Sequence, residues 1–299
     1  MLRIVVICGP TASGKTALAV ELGEKLNAEI VSADSQQCYR GLDAGTAKPT
    51  VAESARVPHH LLDVADPEEQ LDAARFVKLA DAAIASIAAR GRRVIVAGGT
   101  GLWIRALVRG LVEAPGASPR LREELRQRHV SDLHAMLQSV DQVAAQRILP
   151  NDRVRIERAL EVHALTGRRL SDLQREHAFA GARYDALTLH LEPPRELLNQ
   201  RIAARTHRLI ESGDLRRETE WLLARGGSPK ALKIIGYGEM AEALRTGDAK
   251  AAEERINART RRYAKRQRSW FLKDAGPPVD WPLDAPALCE RAQRWYEQP

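Results

Sequence analysis

Ile4-Val5-Val6-Ile7-Cys8-Gly9-Pro10-Thr11-Ala12-Ser13-Gly14-Lys15-Thr16 is a β-branched run that breaks into a glycine-bounded loop. The run Leu2–Cys8 reads as a parallel strand buried on both faces, because a half-exposed strand would alternate apolar and polar residues. Thr16–Leu26 follows with apolar residues at 18, 19, 22 and 26, the spacing of one helix face. Between them Gly9–Thr16 matches G-x-x-x-x-G-K-[ST], in the strand-to-helix setting that pattern needs. Its glycines let successive backbone N–H groups point into one concavity, and the start of the helix adds positive potential. Lys15 brings a mobile charge, and the Thr16 hydroxyl can ligate a Mg²⁺ ion that also touches phosphate oxygens. Gly9, Pro10, Thr11, Ala12, Ser13, Gly14, Lys15 and Thr16 are therefore expected to hold a di- or polyphosphate.

Working outward, the alternation continues. Glu29–Ala33 and Arg93–Ala97 read as strands, Leu71–Ala89 and Leu102–Arg109 as helices, and Gly98-Gly99-Thr100-Gly101 ends the third strand. Such alternation implies an α/β fold: a parallel sheet with right-handed crossovers, binding ligands at the carboxyl ends of its strands. From about Glu113 the pattern changes. Pro115, Gly116 and Pro119 make a linker, and residues 120–178 look helical throughout. Tyr184–Leu191 restores a strand, residues 195–272 are mostly helical, and Pro277, Pro278 and Pro282 mark a loose C-terminal tail. The expected organisation is an α/β core of residues 1–112 and 182–299, with a helical insertion over 113–181.

The chain has 299 residues, 44% hydrophobic and 28% charged, which suits a sizeable folded core and excludes a disordered polymer. Its longest apolar runs are too short to span a bilayer, so no membrane association is expected. No basic n-region or cleavage site precedes the first strand, so no signal peptide is expected. Cys8, Cys38 and Cys289 are scattered, which argues against a disulfide framework or thiolate zinc site and fits a reducing cytoplasm.

Several residues could carry chemistry. Asp34 lies just past the second strand, on the rim expected for the phosphate loop. It reads as a general base, as a Mg²⁺ ligand through water, or as a loop cap. Gln36 and Gln37 beside it suit the edge of a nucleobase. Thr100 reads either as a site hydroxyl or as a turn residue with local bonds. The strand Val94–Ala97 ends without the Mg²⁺-holding acid usual in nucleotide hydrolases, which leaves room for a reaction in which the phosphates depart. His59-His60 has no further His or Cys at ligand spacing, so hydrogen bonds are expected of it rather than a metal. Arg201 and Arg205 share a helix face, either solvated or ion-paired, or with one of them reaching the phosphates to neutralise charge on a leaving diphosphate.

The charge is local. Residues 255–273 (RINARTRRYAKRQRSWFLK) contribute +8 against a total of +7, leaving the rest of the chain at −1. Arg255, Arg259, Arg262 and Arg266 form one stripe, with Tyr263, Trp270 and Phe271 interleaved as stacking surface. Arg153, Arg155 and Arg158 make a smaller basic face. The pattern points to a polyanion, and RNA is favoured over duplex DNA because no recognition helix or zinc finger is present.

Taken together, GPTASGKTALAVEL, SADSQQCYRGLDAGTAKPT, PHHLLDV, GGTGLW, NDRVRIERALEV, LKIIGYGEM and YAKRQRSW resemble, in order, the motifs of the tRNA dimethylallyltransferases, over about residues 3–273. Cys38 stands where an aliphatic residue is common and Trp103 where Tyr is. No zinc-finger extension follows the basic helix, as in the compact bacterial form. The resemblance implies a P-loop core like that of nucleotide kinases and a helical insertion that closes on the anticodon stem-loop. It also implies transfer of a dimethylallyl group from dimethylallyl diphosphate to N6 of the adenosine 3′ of the anticodon, with Mg²⁺ and without ATP consumption.

Carried onto this chain, Gly9–Thr16 would hold the diphosphate with Thr16 toward the metal. Asp34 would be the base, Thr100 would position the reacting centre, and Lys15 and Arg205 would contact the leaving diphosphate. RNA contacts would come from Asp34, Ser35, Gln36, Gln37, Thr100, Val154, Arg155, Ile156, Glu157, Arg158, Ile235, Gly236, Tyr237, Arg262, Lys265, Arg266 and Gln267. A cytoplasmic monomer is expected. The rivals are an ATP-dependent kinase of a small metabolite and a non-catalytic RNA-binding protein.

Overall fold

A computed structural model describes residues 1–179 and 181–298; Ala180 of the expected insertion and Pro299 of the expected tail lie outside the described residues. The chain divides into two compact units, residues 1–108 with 183–299 and residues 109–182. In the first, β1 (Arg3–Cys8), β2 (Ala28–Ser32), β3 (His59–His60), β4 (Arg93–Gly98) and β5 (Asp185–His190) form one parallel sheet in the order β3-β2-β4-β1-β5. This is the α/β core read from the sequence.

Residues 4–8 of β1 are fully buried between β4 and β5. Alternation along the strand sends Ile4, Val6 and Cys8 into one core and Val5 and Ile7 into the other. α1 (Lys15–Leu26) covers the second core with Leu18, Leu22 and Leu26. After the short capped helix α2 (Val51–Arg56), α3 (Ala73–Ala89) covers the first core with Phe76, Ala80, Ile84 and Ile87. α4 (Gly101–Arg109) adds Trp103, stacked on Phe76 at 4.4 Å. Each buried Val, Leu, Ile or Phe among these contributes about 1.5–3 kcal/mol over leaving it exposed, and burial on both faces is why β1 reads as an unbroken apolar run. His60 hydrogen-bonds Glu29 at 2.7 Å and His59 the Val57 carbonyl at 2.8 Å, the bonding role expected of that pair.

The second unit is helical: α5 (Pro119–Arg126), α6 (Val130–Val140), α7 (Gln142–Arg147), α8 (Arg153–Thr166) and α9 (Leu170–His177) surround Leu125, Leu133, Leu137, Ala145, Ile156 and Ala159. Two buried carboxylates tie it together. Asp141 accepts from the Ser171 hydroxyl at 2.6 Å and the Ala144 N–H at 3.0 Å. Glu161 accepts from the Ser118 N–H at 2.8 Å and pairs with Arg122 at 3.0 Å and Arg158 at 2.8 Å.

The first unit resumes with α10 (Arg195–Glu211), α11 (Asp214–Ala224), α12 (Tyr237–Thr246) and α13 (Ala249–Asp274). The expected loose tail is wrong for residues 285–297. They form α14 (Ala285–Glu297), capped by Asp284 and started by Pro286, with Leu288, Cys289 and Ala292 packed into the core that holds α1. The prolines at 277, 278 and 282 delimit a connection; Asp284 and Pro286 are helix-start signals that follow them. No helix among the described residues is long and apolar enough to cross a membrane.

Candidate active site

The carboxyl ends of β1, β4 and β2 are neighbours in the sheet, so three loops meet on one rim. The loop after β1 needs its glycines. Gly9 has φ +149°, and a Cβ there would stand 2.4 Å from the Leu191 carbonyl oxygen; Gly14 has φ +93° at the start of α1. Lys15 opens α1 and donates from Nζ to the Pro10 carbonyl at 2.7 Å. Burial pushes its pKa down to about 8, with Arg205 in the same direction and Asp34 and Cys8 opposing. Burial likewise raises the Cys8 and Cys38 thiols to about 12, so neither is a thiolate nucleophile at neutral pH.

Arg205 on α10 donates to the Thr11 hydroxyl at 3.4 Å and to the Gly45 carbonyl at 3.3 Å, and Arg201 one turn earlier reaches the Ala12 carbonyl at 3.4 Å. Both arginines of the pair therefore turn toward the phosphate loop. Burial lowers the Arg205 pKa while Asp34 opposes the shift. The Gly45 carbonyl is itself held in place. Glu218 accepts from the N–H groups of Asp43, Ala44 and Gly45 at 3.0, 2.7 and 3.2 Å and from the Tyr237 hydroxyl at 2.6 Å.

On the other side, Asp34 accepts from the Gln36 N–H at 2.9 Å, so the loop-capping reading is correct for one oxygen. The same side chain lines a cavity of about 800 Å³ together with Lys15, Thr16, Gln36, Gln37, Arg201 and Arg205. Thr100 accepts from the Ser35 N–H at 2.9 Å and donates to the Ser35 hydroxyl at 3.2 Å. Tyr263, which also lines the cavity, is in hydrogen-bond contact with Thr100; burial raises its hydroxyl pKa, and Asp34 adds to the shift. Thr100 does not itself line the cavity and adjoins it through Tyr263.

α13 forms the remaining wall with Thr260, Tyr263, Arg266 and Gln267, while Ile202, Leu209 and Ile256 give an apolar patch. Sequence reasoning did not single out Thr260 or these apolar residues for the site. The available signal was the spacing 256, 260, 263 and 267 along one helix face, which the run of arginines obscured.

Several residues expected to contact RNA have buried side chains. The Tyr237 side chain is fully buried and bonded to Glu218, Gly236 is buried, and Ile156 belongs to the core of the helical unit. Gln267 is buried and bonds two loops. Phe271 is core, and Trp270 packs over Gly101 with the Arg105 guanidinium 4.6 Å from its ring, so neither offers stacking surface. Arg153, Arg155 and Arg158 are all ion-paired, to Glu157, Asp152 and Glu161, so the smaller basic face is largely compensated. Val154, Arg155, Arg262, Lys265 and Arg266 are exposed.

Two hard oxygen donors for a metal stand close to the phosphate loop. The Thr16 hydroxyl and the Asp34 carboxylate line the cavity, and the described residues contain no cluster of three or more His, Cys, Asp or Glu side chains that could hold an ion unaided. That donor set fits Mg²⁺, which binds through one or two protein oxygens with phosphates and water.

The IPP transferase family model matches residues 37–274. The chain is 54% identical to the tRNA dimethylallyltransferase of Anaeromyxobacter dehalogenans strain 2CP-C over 98% of this chain and all of that one. It is 50% identical to that of Geobacter metallireducens over 91% of this chain and 90% of the other. A crystal structure of a tRNA isopentenylpyrophosphate transferase from Staphylococcus epidermidis superposes with TM-score 0.71 at 32% identity, covering 99% of both chains. A eukaryotic dimethylallyltransferase described as acting on tRNA superposes with TM-score 0.86 at 27% identity, over all of this chain and 81% of that one. With its phosphate loop, its rim carboxylate and the basic helix walling their shared cavity, the chain belongs to the IPP transferase family.

Proposed function

We propose that this enzyme transfers a dimethylallyl group from dimethylallyl diphosphate to the exocyclic N6 of the adenosine immediately 3′ of a tRNA anticodon. A bond forms between N6 and the allylic carbon, the bond from that carbon to the diphosphate oxygen breaks, and an N6 proton passes to the Asp34 carboxylate. The observation that carries the reading is the single cavity shared by the phosphate loop, Asp34 and the inner face of α13.

The chemistry asks for this set of groups. An adenine amine is a weak nucleophile, since its lone pair is delocalised, so the base must leave its stack and be held against the allylic carbon. Gln36 offers an amide to its edge, while the Gln37 amide is held by the Ser32 hydroxyl and the Ala47 carbonyl. Charge builds on the diphosphate as the carbon–oxygen bond breaks, and the loop N–H groups, Lys15 and Arg205 face it. Mg²⁺, held by Thr16 and the diphosphate oxygens, would supply further neutralisation of the leaving group. Ile202, Leu209 and Ile256 give a dry wall on which water is kept from the cationic carbon. The exposed Arg262, Lys265 and Arg266, with Arg155 on the helical unit, are the proposed phosphate-backbone contacts.

The test is incubation with an anticodon stem-loop RNA and dimethylallyl diphosphate labelled in the prenyl group, with ATP as the rival donor. Label is expected in RNA without ATP, and Asp34→Ala is expected to lower transfer by about 10²–10⁴-fold while RNA affinity stays within a few-fold. Phosphate transfer from ATP, or transfer surviving Asp34→Ala, contradicts the reading.

A further inference from the structure

Gln267 projects from the buried face of α13 and is 5% exposed. Its Oε1 accepts from the Thr11 N–H at 2.8 Å and its Nε2 donates to the Gly99 carbonyl at 2.9 Å. The amide orientation is fixed by its partners, because a backbone N–H only donates and a carbonyl only accepts. The approach is close enough that a Cβ on Gly99 would stand 2.3 Å from Nε2.

The two loops it joins carry opposite halves of the reaction. Thr11 lies in the phosphate loop, and its hydroxyl is also where Arg205 docks. Gly99 precedes Thr100, which holds the Ser35 N–H beside Asp34. A hydrogen-bonded chain therefore runs from Arg205 through Thr11, Gln267 and the Gly99–Thr100 turn to Ser35, next to the carboxylate.

We infer that Gln267 is a positioning residue: it sets the separation of the diphosphate cradle from the acceptor side of the cavity, and so the attack distance between N6 and the allylic carbon. The inference rests on the proposed reaction. It separates Gln267 from Arg262 and Lys265 on the same helix, whose side chains are exposed.

The test uses the full chain and Q267M, which keeps the side-chain length and removes both bonds. The rate of transfer per titrated active site should fall about 10- to 100-fold, the scale of a misplacement near 1 Å, with KM for dimethylallyl diphosphate and Kd for the stem-loop within about threefold. A merely structural role would reduce the number of active sites and leave the rate per site unchanged, and that result overturns the inference. If Q267M is recovered unfolded, Q267E decides. Its carboxylate still accepts from Thr11 but repels the Gly99 carbonyl, so a wild-type rate per site overturns the inference and a loss supports it. Absence of transfer by the unsubstituted protein would overturn the proposed reaction and this inference with it. Transfer at an unchanged rate by Q267M overturns the inference alone.

Discussion

Two helices carry basic residues at similar spacings and use them differently. On α8, Arg153, Arg155 and Arg158 each have an acid within one turn: Glu157 at 2.9 Å, Asp152 at 3.4 Å and Glu161 at 2.8 Å. On α13, Arg259 pairs with Glu239 and Arg268 with Glu192, both acids from elsewhere in the chain. Arg255, Arg261, Arg262, Lys265, Arg266 and Lys273 are exposed and make no salt bridge among the described residues. Spacing alone does not distinguish the two stripes; acids at three or four residues do. On α8 the charge is largely compensated within the helix, whereas on α13 the six unpaired side chains repel one another and favour a polyanion partner.

The largest effect should come from breaking a compensated charge. Glu161 is fully buried, and Glu161→Gln leaves Arg122 and Arg158 without their carboxylate, so the helical unit should lose about 3 kcal/mol in denaturant unfolding. Burial pushes the Glu161 carboxyl up, but hydrogen bonds from Arg122, Arg158 and Ser118 outweigh it and hold the pKa below the usual value. The stability this adds is present above the ordinary carboxylate range and is lost as pH falls through the depressed value. Glu161→Gln should therefore flatten the acid limb of the stability curve.

Removing uncompensated charge should spare stability and act on RNA. The Arg262→Ala, Arg266→Ala double variant should weaken stem-loop binding about tenfold or more and reduce the salt slope by roughly 1 per residue, measured by a salt titration. An unchanged slope would remove α13 from the RNA surface. Lys15 is a third kind of charge, held by burial at about 8. Diphosphate pairs with its protonated form, so affinity should be full below about pH 8 and decline above it. Lys15→Arg should abolish the decline, read by titration calorimetry. The smallest effect is Arg155→Ala on α8. This exposed pair with Asp152 should change stability by less than about 0.5 kcal/mol, and RNA affinity should move less than in the α13 variant.

The phosphate loop, the parallel sheet and the rim position of Asp34 were legible because backbone geometry dictates their residue types. Gly9 and Gly14 are required by φ, and the apolar run of β1 by burial on both faces. The inner face of α13 was not legible as such: Tyr263 and Gln267 were expected to meet RNA, not to wall the cavity and, for Gln267, to join two loops. Tyr263 and Gln267 are polar, so an apolar periodicity does not flag them, and the arginines between them dominate the segment. Nor could Tyr237 be placed, since its burial depends on Glu218 and on Gly45, where a Cβ would meet the Tyr237 ring at 2.6 Å. Those contacts lie far apart in the chain. α14 escaped because the prolines before it outweighed its start signals.

A loop of phosphate-transferring architecture is here proposed to hold a leaving group on carbon. Dimethylallyl diphosphate labelled with ¹⁸O at the bridging oxygen tests it directly. The label is expected to leave entirely in diphosphate while the prenyl group joins the RNA. Label retained on the five-carbon product, with phosphate moved to an acceptor, would contradict it.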